Sequence, residues 1–123
     1  MLQGKSKITN ISAKLNPEEF VSAKAYILGA VHGYTASDEE GCFSVRNLFG
    51  GKNKDWGDTP LQAIYNFYRN TEKLRHEEAA KRAAQDVGKL LRQVLNEDKY
   101  DYIEQLESDP HQYHRNSAKS LHD

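Results

Sequence analysis

The stretch EEAAKRAAQDVGKLLRQVL, Glu77 to Leu95, decides the fold because it carries the most consistent helical pattern in the chain. Alanine, valine and leucine recur at spacings of three and four, which places them on one broad stripe of an α-helix. Charged residues and glutamine cover the opposite face. The pattern predicts an amphipathic helix over about 76–96 with its apolar stripe buried. Gly88 interrupts it at a cost of about 1 kcal/mol relative to alanine, so we expect close packing there.

A second helix is predicted from a start signal near the N-terminus. Asn16 suits the N-cap, Pro17 suits the first helical position, and acidic residues follow at the positive end of the helix dipole. Apolar residues then recur at helical spacing up to Gly33, which predicts a helix over 17–32 that ends at this glycine. The same residues also alternate as in a strand, so an extended conformation is the alternative.

A third helix follows the same kind of signal. Asp58 or Thr59 serves as the cap and Pro60 as the first residue, and apolar and aromatic side chains then share one side. This predicts a helix over about 60–71. The apolar pattern does not continue in phase into the next helix, so we expect a break near 72–76.

The remaining chain predicts less regular structure. Apolar spacing favours a short helix at about 99–107, and β-branched residues favour a small β element built from 7–15 and 42–46. The fold class is therefore mainly α, a compact bundle of three to four helices with a small β element near the N-terminal half, and α+β is the alternative. We expect a single globular domain over 1–109 and a polar, mobile tail over 110–123.

Composition limits the functional classes. The chain has 123 residues, a formal net charge of −1 and a single cysteine, Cys42. One cysteine excludes an internal disulfide and a thiolate zinc cage, and agrees with a reducing compartment. No run approaches the roughly 20 apolar residues of a membrane span, and the first ten residues lack the apolar region of a signal peptide. These features predict a cytoplasmic protein without a membrane partner.

The loop GGKNKDWGDTP, residues 50–60, has two interpretations. In one, the glycines and Lys52 and Lys54 contact a phosphate while Trp56 stacks on a base. In the other, the loop is only a connection, and Trp56 anchors it on the core. The glycine and lysine spacing matches neither the P-loop nor the dinucleotide-binding fingerprint, which favours the connection.

Charge is uneven in the last third of the chain. Arg69 to Gln93 contains seven basic and four acidic residues, a net charge of +3, whereas Asn96 to Asp109 contains one basic and six acidic residues, a net charge of −5. A solvated face is the simplest explanation, and phosphate contact or pairing between subunits is the alternative. A loose similarity to a helix-turn-helix is explained with fewer assumptions by one unbroken helix. The candidate binding residues are Arg46, Lys52, Lys54, Trp56, Arg75, Lys81, Arg82, Lys89 and Arg92.

Catalytic and metal-binding patterns have little support. The five histidines are scattered, and only His111, His114 and His122 cluster, in the segment expected to be mobile. A pair made of Cys42 and His32 has no informative spacing, and an inert thiol is the simpler interpretation. We therefore predict no catalytic residue, no metal site and no cofactor.

The function indicated by these patterns is that of a non-enzymatic small binding or accessory protein. The wide apolar stripe of 76–96 and the aromatic residues of 60–71 suggest contacts with protein, and a homo-oligomer in particular. Inhibitor-type proteins of mobile elements have this character. The alternative is nucleic-acid or nucleotide binding through the 46–60 loop and the basic face of the 76–96 helix.

Overall fold

The computed structural model describes residues 2–3, 8, 10–37, 42–49, 56–105 and 112–115. Across these ranges the chain is mainly α with a small β element, as predicted. The elements are β1 (Leu2–Gln3), a 3₁₀ turn (Ser12–Lys14), α1 (Pro17–Ser37), α2 (Val45–Phe49), α3 (Gln62–Asn66), a π-helical turn (Phe67–Thr71), α4 (His76–Glu97), β2 (Tyr102–Gln105) and β3 (Gln112–Arg115).

Helix α1 begins with a reciprocal pair of caps. The Glu19 amide donates to Asn16 Oδ1 (2.8 Å), and the Asn16 amide donates to Glu19 Oε1 (3.0 Å). The predicted helix is confirmed and the extended alternative is wrong. The predicted end at Gly33 is also wrong, because Gly33 does not adopt a left-handed φ and the helix continues to Ser37.

Helix α4 is the centre of the core. It packs against α1, α2, α3, the π-helical turn and β1. The expectation of close packing at Gly88 is wrong, since a Cβ there would lie 3.8 Å from Val45 Cγ2, an ordinary van der Waals contact. The predicted apolar stripe is buried except at Ala84, which is half-buried. Its other members are at most 9% exposed: Ala79, Ala80, Ala83, Val87, Leu90, Leu91, Val94 and Leu95.

The helix predicted over 60–71 is divided into α3 and the π-helical turn. The Thr59 hydroxyl accepts from the Leu61 amide (3.3 Å), and Leu61, Ile64 and Tyr68 are buried. The predicted break is present, because the chain leaves the helical conformation after Thr71 and Lys73 has a φ of 58°. After this turn, α4 packs against both α3 and the π-helical turn.

The sheet is three-stranded, with β2 in the middle, parallel to β1 and antiparallel to β3. The helix predicted over 99–107 is wrong for the described residues. Tyr102 and Glu104 are buried and Ile103 between them is half-buried, which is the alternation of a strand. Within the segment predicted as a tail, residues 112–115 form β3, which pairs with β2, and Tyr113 is only 2% exposed.

The sheet also lies elsewhere in the sequence than predicted. Of the predicted β segment 7–15, the described residues contain the 3₁₀ turn and no strand. Phe43 forms an isolated bridge with Tyr113 through two hydrogen bonds of 2.8 Å, and α2 begins at Val45. Across the described ranges, no helix is both long and apolar enough to cross a bilayer.

Candidate functional site

The loop singled out in the sequence is only partly described. Lys52, Lys54 and the side chain of Arg46 lie outside the described residues. Trp56 is 7% exposed, and its indole N–H donates to the Phe49 carbonyl (3.0 Å). The ring therefore anchors the chain against the core, as the connection interpretation expects, and its faces are not open for stacking on a base.

The basic face of α4 is partly engaged within the molecule. Arg75, Lys81 and Arg82 are exposed, but Arg82 Nε donates to Glu78 Oε1 (3.0 Å). Lys89 Nζ lies 3.5 Å from the Asp86 carboxylate.

Arg92 faces the sheet rather than solvent. Burial raises the pKa of Tyr113 to about 12, although a hydrogen bond with Arg92 acts in the opposite direction. The structure therefore leaves Arg75 and Lys81 as the exposed cations of this face without an ion-pair partner among the described residues.

Two polar clusters centred on aspartates were not predicted. In the first, Asp86 on α4 accepts from the Tyr68 hydroxyl (2.5 Å) and from Lys14 Nζ (3.0 and 3.2 Å), and Lys14 also donates to the Tyr68 oxygen (2.7 Å). Burial, and then the bond to Asp86, raise the pKa of Tyr68. Burial lowers the pKa of Lys14, but the bonds with Tyr68 and Asp86 outweigh it, so the net shift is upward. This cluster fixes the 3₁₀ turn to α4.

The second cluster joins α1, the end of α4 and β2. Asp98 Oδ2 lies 2.8 Å from His32 Nε2 and accepts from the Tyr102 hydroxyl (2.6 Å), while Oδ1 accepts from the Lys99 amide (2.8 Å). The Asp98 side chain is 5% exposed. Burial opposes its ionisation, but the three hydrogen bonds outweigh burial and lower the Asp98 pKa. The carboxylate is thus held charged inside the fold.

Sequence patterns gave no signal for either cluster. Lys14 and Asp86 are 72 positions apart, and His32 and Asp98 are 66 positions apart. Only the packing of α1 and the 3₁₀ turn against α4 brings these side chains together.

A different surface stands out on α1, which has apolar residues on two opposite sides. The buried side repeats every four residues through Ala23, Ile27, Val31 and Thr35, each at most 1% exposed. The opposite side is exposed, and we call it the outer face of α1: Val21, Ala25, Gly29, Gly33 and Ala36.

The outer face of α1 is exposed in the described chain. Val21 is 66% exposed, and Tyr26 beside it is 38% exposed. A Cβ built on Gly29 or on Gly33 would meet no atom within 4 Å. A helix with apolar residues on two sides is typical of a buried helix, so the fold leaves this face unexplained.

The surfaces that the sequence suggested for self-association are internal. The apolar stripe of α4 is covered by the chain itself. Among the aromatic residues of 60–71, Tyr68 is buried in the Asp86 cluster, Phe67 packs on Tyr68, and the Tyr65 hydroxyl lies 2.6 Å from His76 Nδ1. These contacts within the chain leave only the half-buried Tyr65, Phe67 and Ala84 of the two surfaces partly accessible.

Within the described ranges, no three His, Cys, Asp or Glu side chains lie close enough together to hold a metal ion. Comparison of the chain with protein-family models, with curated proteins and with solved structures finds no match.

Proposed function

We propose that this chain is a non-enzymatic binding protein that acts through protein–protein contacts made by the outer face of α1. The observation that supports the proposal is the pair of glycines, Gly29 and Gly33, in the middle of a 21-residue helix with open space over both. A half-buried free thiol at Cys42 agrees with action in the reducing cytoplasm.

The energetic argument concerns the two glycines. Each costs about 1 kcal/mol of helix stability relative to alanine. A glycine inside a helix is usually explained by a neighbouring group that a Cβ would displace, yet neither glycine has such a neighbour in the described chain. Close approach of a second backbone across Ala25, Gly29 and Gly33, which follow each other at four-residue spacing, would explain both.

The partner that we propose is a second copy of the chain. From Ala25 to Ser37 the helix has no acidic residue, lysine or arginine, so pairing two outer faces brings no like charges together. Lys24 is directed to Glu97, with which it forms an ion pair of 2.5 Å. Such a face is self-complementary, as a two-fold symmetric interface requires.

The size of the face sets the strength of association. A helix of this length is roughly 30 Å long and about 10 Å wide, so the outer face alone buries much less than the roughly 1,600 Å² of a standard interface. We therefore expect a reversible dimer with a concentration-dependent equilibrium, not an obligate one.

The test is sedimentation velocity across concentration, comparing the unmodified chain with Gly29→Leu. Leucine has room in the monomer but blocks approach of a second backbone, so we expect dimerisation to be lost while the fold is retained. Gln85→Leu is the matched control, because it adds the same side chain to an exposed position on α4. A monomer at all concentrations, or a dimer unaffected by Gly29→Leu, would contradict the proposal.

The alternative is nucleic-acid or nucleotide binding through the basic face of α4. Exposed Arg75, Lys81 and Arg82 favour it, whereas the engagement of Arg82, Lys89 and Arg92 inside the molecule weakens it. Titration with duplex DNA and with nucleotides at two salt concentrations separates the two functions. Binding that falls steeply with salt and is lost in Lys81→Gln would favour the alternative.

A further inference from the structure

His32 lies at the border of the outer face of α1. It comes seven residues after Ala25, which puts it within about 20° of the same direction around the helix. Along the axis it comes three residues after Gly29 and one before Gly33. Its side chain is 37% exposed, so the ring is partly open to solvent in the single chain. A second backbone that approaches the two glycines would therefore cover part of this ring.

The neighbours of His32 determine which ring nitrogen carries the hydrogen. Asp98 Oδ2 lies 2.8 Å from His32 Nε2 and also accepts from the Tyr102 hydroxyl (2.6 Å). Burial opposes ionisation of Asp98, but its hydrogen bonds outweigh burial and lower its pKa. Asp98 is therefore a carboxylate, which only accepts hydrogen bonds. The neutral ring thus carries its hydrogen on Nε2, and a proton taken up in acid binds to Nδ1.

A proton on Nδ1 needs an acceptor that the outer face does not supply. Among the described residues no hydrogen bond is made by Nδ1, so in the single chain this proton is left to solvent. The side chains of the outer face are those of glycine, alanine and valine, which have no acceptor atom. The backbone carbonyls in the middle of a helix are already bonded within it. Covering a charged donor without an acceptor is unfavourable.

From this arrangement, and on the basis of the dimer proposed above, we propose that protonation of His32 controls the association of two outer faces. The neutral ring can be covered, whereas the protonated ring opposes the contact. A two-fold interface contains two copies of His32, so the effect acts twice in each dimer. The dimer therefore forms at neutral pH and dissociates in mild acid.

The charged groups packed around His32 do not differ between the monomer and the dimer. The ring meets Tyr100 edge-on, at 5.7 Å between centroids. Lys99 Nζ and Arg115 Cζ lie 5.1 Å and 3.7 Å from the centroid of the same tyrosine. These two cations and Asp98 belong to the same chain as His32, so they act on the ring in both states.

The charged residues of α1 itself lie away from His32. Lys24 forms an ion pair with Glu97. Glu18 is exposed and comes eleven residues before Gly29, roughly 16 Å along the axis. A contact centred on the glycines therefore keeps Glu18 of one copy out of hydrogen-bond reach of His32 in the other copy. Outer faces that met nearer to Glu18 would bring an acid to the imidazolium and reverse the pH dependence.

The experiment is sedimentation velocity of the whole chain across concentration, at about pH 7.5 and about pH 5.5, which lie on either side of the ordinary histidine pKa. We expect the dissociation constant of the dimer to be about tenfold higher at the lower pH, because dissociation takes up protons. Circular dichroism at both pH values checks that the fold is retained.

Three variants assign the effect to His32. His32→Gln keeps an N–H donor for Asp98 but cannot be protonated, so we expect equal dimerisation at the two pH values. His32→Lys carries a permanent charge, and we expect weak dimerisation at both. His76→Gln is the matched control, because it removes an exposed histidine at the start of α4, and we expect its dimer to keep the pH dependence.

The outcomes separate this inference from the proposed dimer. A dissociation constant that is equal at the two pH values, or lower in acid, would overturn the role of His32 and leave the dimer intact. Persistence of the pH dependence in His32→Gln, or its loss in His76→Gln, would do the same. A chain that is monomeric at both pH values would instead contradict the dimer, and this inference with it. The unmodified chain provides the main comparison, so the result does not depend on the folding of a variant.

Discussion

Helices α1 and α4 have nearly the same length, 21 and 22 residues, and they pack against each other, yet they relate to solvent in opposite ways. Helix α4 is charged outside and mainly apolar inside, where Asp86 and Gln93 are the buried polar residues, so contacts within the chain account for most of its composition. Helix α1 is apolar inside and carries small and apolar residues outside, including two glycines and Val21. Packing within the chain accounts for the apolar residues on the inner side of α1 but not for those on its outer face. The difference shows that α4 serves the fold, and it is the basis of our proposal that α1 also serves recognition.

The largest expected effect tests the inner side of α4. Leu91 is 0% exposed, and we expect Leu91→Ala to lower the free energy of unfolding by about 3 kcal/mol, because it leaves a cavity in the core. Val21→Ala on the outer face of α1 is the comparison, with an expected change within about 0.5 kcal/mol. Urea denaturation measures both. Equal losses would mean that Val21 packs against the chain and that the two helices do not differ.

The next effect concerns the cluster that fixes the 3₁₀ turn to α4. We expect Asp86→Asn to cost about 2 kcal/mol, because Lys14 and Tyr68 lose a charged acceptor. Lys14→Met should cost a similar amount, and the double variant should cost less than the sum, because the two residues interact directly. Strict additivity in denaturation experiments would show that this contact does not contribute to stability.

A smaller effect is expected from a comparison of Gly29 on α1 with Gly88 on α4. We expect Gly29→Ala and Gly88→Ala each to stabilise the monomer by up to about 1 kcal/mol, since both methyl groups fit. Only Gly29→Ala should weaken dimerisation, because Gly88 packs against Val45 inside the chain. Thermal unfolding of dilute protein and sedimentation of concentrated protein give the two quantities. Weaker dimerisation in Gly88→Ala would contradict the prediction that only the glycine on α1 contributes to the dimer.

The smallest expected effect is the loss, at acidic pH, of the stability contributed by Asp98, which connects the end of α4 to His32 on α1. The Asp98 pKa is lower in the folded chain than in the unfolded chain, so its contribution to stability is complete above the unfolded value, about 3.9, and is lost as pH falls through the folded value. We therefore expect Asp98→Asn to be less stable than the unmodified chain at neutral pH and closer to it in acid. Thermal melts between neutral and acidic pH measure the difference, and a constant difference would contradict the assignment.

The sequence predicted the elements that depend on local signals. The cap at Asn16, the stripe of 76–96 and the break after Thr71 all follow from residues within a few positions of each other. The strand Tyr102–Gln105 was missed because Tyr100, Ile103 and Leu106 also have helical spacing, and a short run fits either pattern. Its true conformation depends on pairing with β1 and β3, which lie far away in sequence.

The sequence predicted the candidate sites less well than it predicted the fold. Basic residues on α4 were identifiable by spacing, but their engagement with Glu78, Asp86 and Tyr113 was not. The outer face of α1 was hidden because a helix with apolar residues on two sides gives no clear amphipathic pattern. The position of His32 beside Asp98 and Tyr100 was likewise not evident from the sequence.

The sequence by itself determined where α1 and α4 begin, which side of α4 is buried, and that the fold is mainly α, since caps and apolar periodicity act over a few residues. Only the tertiary structure decided that α1 keeps one face open, that Asp86 and Asp98 are buried among hydrogen-bond partners, and that β3 closes the sheet. These features depend on contacts between residues far apart in the chain, and the free energy of such contacts is set by packing rather than by local pattern.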